Sequence, residues 1–287
     1  MDASSVTRTV SVTRMNSGDH ACLGFDDDES RWEVRAAYAD IGLSRGEQVL
    51  FFTDRATTPA LAAEQLRVSG FPLGPALKDG RLVVVNEVPG YDPATGFDPT
   101  ERADLWVELT DKARHDGFSG IRVVGDMGWA AEPGVDQELL LAYETELSPL
   151  FTKIGFTAVC EYDRRKFDDG LLGRIHHAHP KRALGRLGAL DITRAGSELR
   201  IAGDVDLTTR EEFDSALTHA LAGPDRPRVL DLSELCFMDI HSASTLVRLA
   251  SRIPCGHLLS IRCQPVQDKV IRLCGAAEVP QLVLGER

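Results

Sequence analysis

The sequence predicts an α/β protein of two domains, and three observations carry that prediction. Short apolar runs rich in Val, Ile and Phe alternate with longer amphipathic segments, the pattern of parallel strands joined by helices on both faces. The 287 residues suit two hydrophobic cores better than one. Residues 170–187 form a basic stretch broken by Gly173, Pro180 and Gly185, read as a short helix followed by an interdomain linker. The domains are therefore set at 18–175 and 188–287, with the linker at 176–187.

Taken in order, residues 1–17 are Ser/Thr-rich and read as a frayed terminus. A strand is expected at 21–25. A helix at 28–44 has acidic residues in its first turn and Gly46 beyond its end. The apolar run at 48–53 is a buried strand, and 59–69 is a helix closed by Gly70. Strand 81–86, helix 99–115, strand 120–125, helix 136–150 and strand 156–162 complete a parallel-sheet α/β sandwich of about five strands. The smaller second domain reads strand 190–193, strand 199–203, helix, strand 228–232, helix, strand 258–263, helix, strand 281–284. The corner Phe237-Met238-Asp239 opens its second helix.

Composition narrows the function. Hydrophobic content of 43% and charged content of 26% suit a globular protein with two cores. Lys+Arg 32 against Asp+Glu 44 gives a net charge of -12, so no nucleic-acid partner is expected. There is no apolar run of about 18 residues and no apolar core of a signal peptide at the N-terminus. Cys22, Cys160, Cys236, Cys255, Cys263 and Cys274 contain no CxxC pair. Reduced thiols in a cytoplasmic protein, with no membrane partner, follow. No GxSxG elbow or HExxH is present, so no catalytic residue is assigned and no enzyme is expected. His176, His177 and His179 lack the spacing of one helix face, and Pro180 disfavours helix at His179. They read as a solvated linker, and neither metal nor cofactor is expected.

Several motifs in the first domain go together. They are Asp19-His20-Ala21-Cys22, Gly42-Leu43-Ser44-Arg45-Gly46-Glu47, Gly125-Asp126-Met127-Gly128-Trp129, Tyr143-Glu144, Cys160-Glu161-Tyr162-Asp163-Arg164-Arg165 and His179-Pro180. In order and spacing they resemble the MEDS family, the sensory domain shared by regulators of methanogens and methylotrophs. The resemblance implies a small-ligand sensor with an architecture akin to P-loop folds. The residues limit that kinship. The first strand's turn has no Walker A GxxxxGK[ST], and Asp26, Asp27, Asp28 and Glu29 would repel a triphosphate. They read as a charged helix start. Asp126 sits where a magnesium-holding aspartate would sit. Without a lysine partner it is a relic, a cap or a ligand contact.

Ligands of parallel sheets bind outside the carboxyl ends of the strands, which makes candidates of Phe25, Thr53, Asp54, Glu87, Asp126, Met127, Trp129, Glu161 and Tyr162. His20 and Cys22, two apart, either ligate a metal or meet a reactive ligand, or else cap a strand end and fill the core. Met127 and Trp129 either pack on the next helix or wall a ligand. Cys160 reads as core.

The second domain resembles the STAS domain of bacterial anti-sigma factor antagonists. Gly203-Asp204-Val205-Asp206-Leu207 and the stretch from Asp231-Leu232-Ser233 to Phe237-Met238-Asp239 carry the resemblance. The family's corner usually reads FMDSSG. The serine after the aspartate is phosphorylated by a partner kinase, which abolishes binding by adding about -1.5 to -2 charges. Here Ile240 takes that position, His241 replaces a second serine and Ser242 stands for the glycine. Asp239 suits an N-cap. The resemblance implies a partner face of Asp204, Asp206, Asp239, Ile240, His241 and Ser242. Either phosphorylation has moved to Ser242 or Ser244, or the module binds unphosphorylated.

The combined expectation is a bacterial signalling protein. A small-ligand sensor would report through the STAS module to an anti-sigma factor, a serine kinase or a larger signalling assembly; homodimerisation stays open. The alternatives are an enzyme built on the first domain with STAS as an interaction tag, and a transcriptional regulator. The latter is disfavoured by the charge and the lack of a helix-turn-helix signal.

Overall fold

The computed structural model describes residues 8–54 and 56–285. They form two compact units: Arg8 and residues 12–187 make the first, and residues from 188 onward, with Thr9–Ser11, group as the second.

The strands of the first large sheet are β1 (Arg8–Val10), β2 (His20–Phe25), β3 (Gln48–Phe52), β4 (Leu82–Val85), β7 (Ile121–Asp126), β8 (Thr157–Asp163) and β9 (Lys181–Ala183); β5 (Tyr91–Asp92) and β6 (Gly96–Phe97) form a separate hairpin. The sheet order is β1-β9-β2-β8-β7-β3-β4. The pairs β9–β2, β2–β8, β8–β7, β7–β3 and β3–β4 are parallel. The central strand β8 is buried along its whole length, as expected for a parallel sheet covered on both faces.

The helices are α1 (Asp28–Ser44), α2 (Pro59–Val68), α3 (Gly74–Lys78), α4 (Pro99–His115), α5 (Gln137–Ile154) and α6 (Asp169–Ala178). All but α3 open on an Asp or Thr whose side chain accepts a first-turn N–H. Asp27 caps α1, with Asp28 and Glu29 in the first turn. The acidic run is a helix start.

Two expectations about the ends of this domain need correction. Residues 1–7 of the segment read as frayed lie outside the described residues. The rest is not frayed: β1 and a 3-10 turn at Val12–Arg14 bury Val10, Val12 and Met15. The segment 176–187, read as a linker, holds the end of α6 and all of β9, which pairs Ala21 with Lys181 and Cys22 with Arg182. Pro180 ends the helix but not the domain. Three residues reading Lys-Arg-Ala carry no strand signal of their own; the open edge of β2 supplies it.

In the second unit, β10 (Leu190–Ala195) is antiparallel to β11 (Glu198–Val205). β12 (Val229–Leu232), β14 (Leu259–Cys263) and β15 (Leu282–Leu284) follow in parallel. β13 (Leu235–Met238) pairs with the far half of β11 after a shift at Gly203/Asp204. Gly203 has φ 117 there, a backbone region that favours glycine. Thus Phe237-Met238 ends a short strand. Helices α7 (Arg210–Ala222), α8 (Ile240–Ala250) and α9 (Pro265–Leu273) pack on the sheet around Ile201, Phe213, Leu230, Leu246 and Ile261. Among the described residues, no helix is long and apolar enough to cross a membrane.

Candidate functional site

The register of β2 against β8 sets His20 opposite Ala158 and Cys22 opposite Cys160. Side chains alternate across a strand. His20, Cys22, Cys160 and Tyr162 therefore share one face of the first sheet, and Glu161 takes the other. On the first face α5 contributes Glu144, and the residue after α6 contributes His179. His20 Nε2 lies 3.3 Å from Glu144 Oε2, and His179 Nε2 lies 3.4 Å from the same oxygen. Cys160 Sγ is 3.5 Å from His20 Nε2 and 4.0 Å from Glu144 Oε2. All four side chains are buried, and one donor atom from each lies within 4.8 Å of the others.

The surroundings orient these groups. His179 Nδ1 is 2.8 Å from the Ile175 carbonyl, which can only accept, so Nδ1 carries the proton and Nε2 is left as an acceptor. His20 Nδ1 is 3.3 Å from Ser148 Oγ. Tyr162 Oη donates to Glu144 Oε1 at 3.1 Å. Burial opposes ionisation of Glu144, yet His179, His20 and Arg102 hold its carboxyl down at about 2. Burial, followed by the neighbouring His20, lowers His179 to about 4, so its imidazole is neutral at pH 7. Burial, reinforced by Glu144, pushes the Cys160 thiol well above its ordinary range.

The opposite face holds a different cluster. Arg31 and Arg35, one turn apart on α1, point at Glu161 and Asp126. Arg31 Nε donates to Glu161 Oε2 at 2.7 Å and its Nη2 to Asp126 Oδ2 at 2.6 Å. Arg35 bridges both oxygens of Glu161, with Nη2–Oε2 at 2.6 Å. Arg31 also lies over the Phe25 ring, 4.0 Å from its centroid. Burial opposes ionisation of Asp126, but Arg31 keeps its carboxyl below the ordinary range. Farther along this face Arg122 is fully buried, donating to Glu47 Oε2 at 2.5 Å and lying over Tyr38. A Cβ at Gly42 would come within 2.6 Å of Arg122 Cδ. The 42–47 motif is thus a packing device.

A groove of about 1170 Å³ opens beside β3, β4, the β5–β6 hairpin and α4. Leu50, Phe52, Val85, Tyr91 and Phe97 line it, with Glu87, Asp98 and Glu101 among its polar groups. Trp129 stacks on Tyr91 at 4.6 Å and touches Phe97, behind this groove.

In the second unit, Asp239 accepts the Ser242 N–H at 2.8 Å and pairs with Arg210 at 2.5 Å, capping α8. Asp206 caps its own turn through Thr208. Ile240, Leu207 and Phe237 are exposed around this corner, as is His241. Ser242 is fully buried, which closes it to a kinase in this conformation. Ser244 is exposed, its hydroxyl donating to the Ile240 carbonyl at 2.8 Å.

A family model described as MEthanogen/methylotroph, DcmR Sensory domain, or MEDS, matches residues 19–180. The chain belongs to the MEDS family. A second model, described as Mlab, STAS domain, matches residues 189–283. The chain is also similar to the transcriptional repressor DcmR of Methylorubrum extorquens (strain DSM 6343 / CIP 106787 / DM4), 27% identical over 159 residues. That match covers 55% of this chain and 57% of the relative, so the chain spans little more than half of the relative's length. A MEDS sensory domain followed by a STAS domain makes this a regulatory, signalling protein.

Within the MEDS domain, the sequence-derived ligand residues fall into separate places. Asp126 and Glu161 join the arginine cluster, with Phe25 beneath Arg31. Met127 is buried, its Sδ 3.5 Å from Arg102 Nη2. Trp129 packs against Tyr91 and Phe97. His20 meets Cys160; the buried Cys22 instead donates to the Lys181 carbonyl. Sequence reasoning missed Arg31 and Arg35, hidden inside a helix of ordinary polarity. It also missed Glu144 and His179 as site residues. His179 is not solvated linker: it is buried beside Glu144 because β9 draws the chain back onto the sheet. The available signal was the motif set itself, since 19–22, 143–144, 160–165 and 179–180 each supply one member of the cluster.

Proposed function

We propose that this MEDS protein is a ligand-responsive regulator whose STAS domain docks a protein partner through the Asp239 corner. One observation carries the reading. Leu207, Ile240 and Phe237 are 78%, 72% and 45% exposed around that corner, and bared apolar side chains grouped together mark a protein-binding surface. Ile240 cannot be phosphorylated, so docking here is not gated by covalent modification at that position. The partner class is an anti-sigma factor, a serine kinase or a related signalling assembly. The small organic ligand sits in the groove lined by Leu50, Phe52, Tyr91 and Phe97. It acts only by differing in affinity for the two binding states of the chain, and the protein binds it without turnover. The name of the repressor relative supports transcription as the process controlled.

The test is calorimetric titration of the full chain with purified histidine-kinase-like anti-sigma factors from the same genome. Ile240→Asp places a charge where the surface is apolar and should weaken binding at least about tenfold, equivalent to about 1.4 kcal/mol. Equal binding by the Ile240→Asp variant, or no binding of any such factor by the wild type, removes this reading.

A further inference from the structure

We propose that His20, Glu144, Cys160 and His179 are the ligands of one buried zinc ion. The inference goes beyond the regulatory reading and stands independently of it, since it concerns a cation inside the MEDS domain and not the partner.

The donor set comes first. Two imidazole nitrogens, one sulfur and one carboxylate oxygen suit a borderline-soft divalent cation. Spacing is the second argument. With metal–ligand bonds of about 2.0–2.3 Å, a tetrahedron puts N and O about 3.4 Å apart and S and N about 3.6 Å apart. The two N–O separations here are 3.3 and 3.4 Å, and the S–N separation is 3.5 Å. The S–O separation of 4.0 Å is the loosest of these. The outer partners are the third. Ile175 O, Ser148 Oγ and Tyr162 Oη engage His179 Nδ1, His20 Nδ1 and Glu144 Oε1. The two Nε2 atoms and Oε2 are thereby left facing one another, as second-shell partners of a metal site would leave them.

Charge points the same way. Glu144 is a fully buried carboxylate whose close partners are imidazoles, a thiol and a phenol. A dication there would pair directly with this carboxylate, adding to the Arg102 charge that also acts on it. Binding breaks the Cys160 S–H bond, forms a zinc–sulfur bond and releases the proton to solvent, with no change of oxidation state. Four protein ligands leave no open position, so the site is structural or metal-sensing and not catalytic. It fastens the chain after α6 to β2, β8 and α5.

The experiment uses the full chain, stripped with a chelator and titrated with cobalt and then zinc. One equivalent of cobalt should bind with a thiolate-to-cobalt charge-transfer band that zinc abolishes. Cys160→Ser should lose the band, while Cys22→Ser and His177→Ala keep it. Tyr162→Phe, at a positioning residue, should keep the band and weaken affinity about tenfold. X-ray absorption on the wild-type zinc protein reads the ligands without relying on any variant's folding. It should find one sulfur at about 2.3 Å and three nitrogen or oxygen neighbours at about 2.0–2.2 Å. Substoichiometric binding, a sulfur-free shell, or a band that survives Cys160→Ser overturns the proposal.

Discussion

The two faces of the first sheet bury ionisable side chains in opposite ways. On the α1 face, Asp126 and Glu161 meet Arg31 and Arg35, two carboxylates against two permanent cations. On the α5–α6 face, Glu144 meets two imidazoles, a thiol and a phenol. A buried charge persists only when paired and hydrogen-bonded. The arginine face satisfies that condition with groups whose charge does not vary near neutral pH. The histidine face satisfies it with groups that also titrate and bind metals. Adjacent residues on one strand, Cys160 and Glu161, belong to these two regimes. The charge-balanced cluster works as scaffold, whereas the cluster around Glu144 brings together donor types that take up a divalent cation.

The largest expected effect tests that contrast directly. Glu161→Gln leaves two buried guanidiniums without their shared anion and should cost about 3–5 kcal/mol in chemical denaturation. Glu144→Gln in metal-stripped protein removes a carboxylate whose close partners are imidazoles, a thiol and a phenol, with no guanidinium hydrogen-bonded to it among the described residues, and should cost only about 1–3 kcal/mol. Equal costs would erase the distinction between the faces.

Next in size is the response to zinc. At a free concentration about a hundredfold above its dissociation constant, zinc should stabilise the chain by about 2.7 kcal/mol. The gain should vanish in Cys160→Ser and persist in Arg122→Lys, which lies on the other face. Thermal melts of stripped and zinc-loaded protein give the answer.

Acid should act on the arginine face more weakly. The folded carboxyl of Asp126 is held below the unfolded value, about 3.9, so the unfolded chain takes up the proton first as pH falls. Its stabilisation is complete above about pH 4 and is lost as pH drops through the lower folded value. Asp126→Asn should therefore flatten the acid limb of stability against pH, with Arg31 and Arg35 the charges facing it. An unchanged limb would mean that other carboxylates govern acid unfolding.

The smallest effect belongs to the STAS corner. Ile240→Ser should change folding stability by no more than about 0.5 kcal/mol, because the side chain is exposed. A larger loss would show that Ile240 packs in the folded chain and is not reserved for a partner.

Much of this molecule was legible from nearest neighbours in sequence. Asp27, Asp98, Asp136 and Asp168 each precede a helix and cap it. The run 48–53 reads as a buried strand and is one, β3. Asp239 caps α8 through Ser242 N, as its place before the helix implied. Less legible was the end of α5, which continues past Pro149 to Ile154 and stops at Gly155 in a left-handed conformation. Least legible was the histidine cluster. His20 with Cys22 looked like the pair because they are close in sequence, yet the partner of His20 is Cys160.

By itself, then, the sequence determined the two α/β units, the caps, the apolar strands and an isoleucine where a phospho-acceptor would stand. These depend on periodicity and on interactions within one turn, so a local reading reaches them. Only the tertiary structure decided which ionisable groups meet. Parallel pairing places His20 and Cys160 on one face and Glu161 on the other. The β9 strand folds His179 back beside Glu144. Those meetings depend on register between strands far apart along the chain, and no local pattern encodes that register.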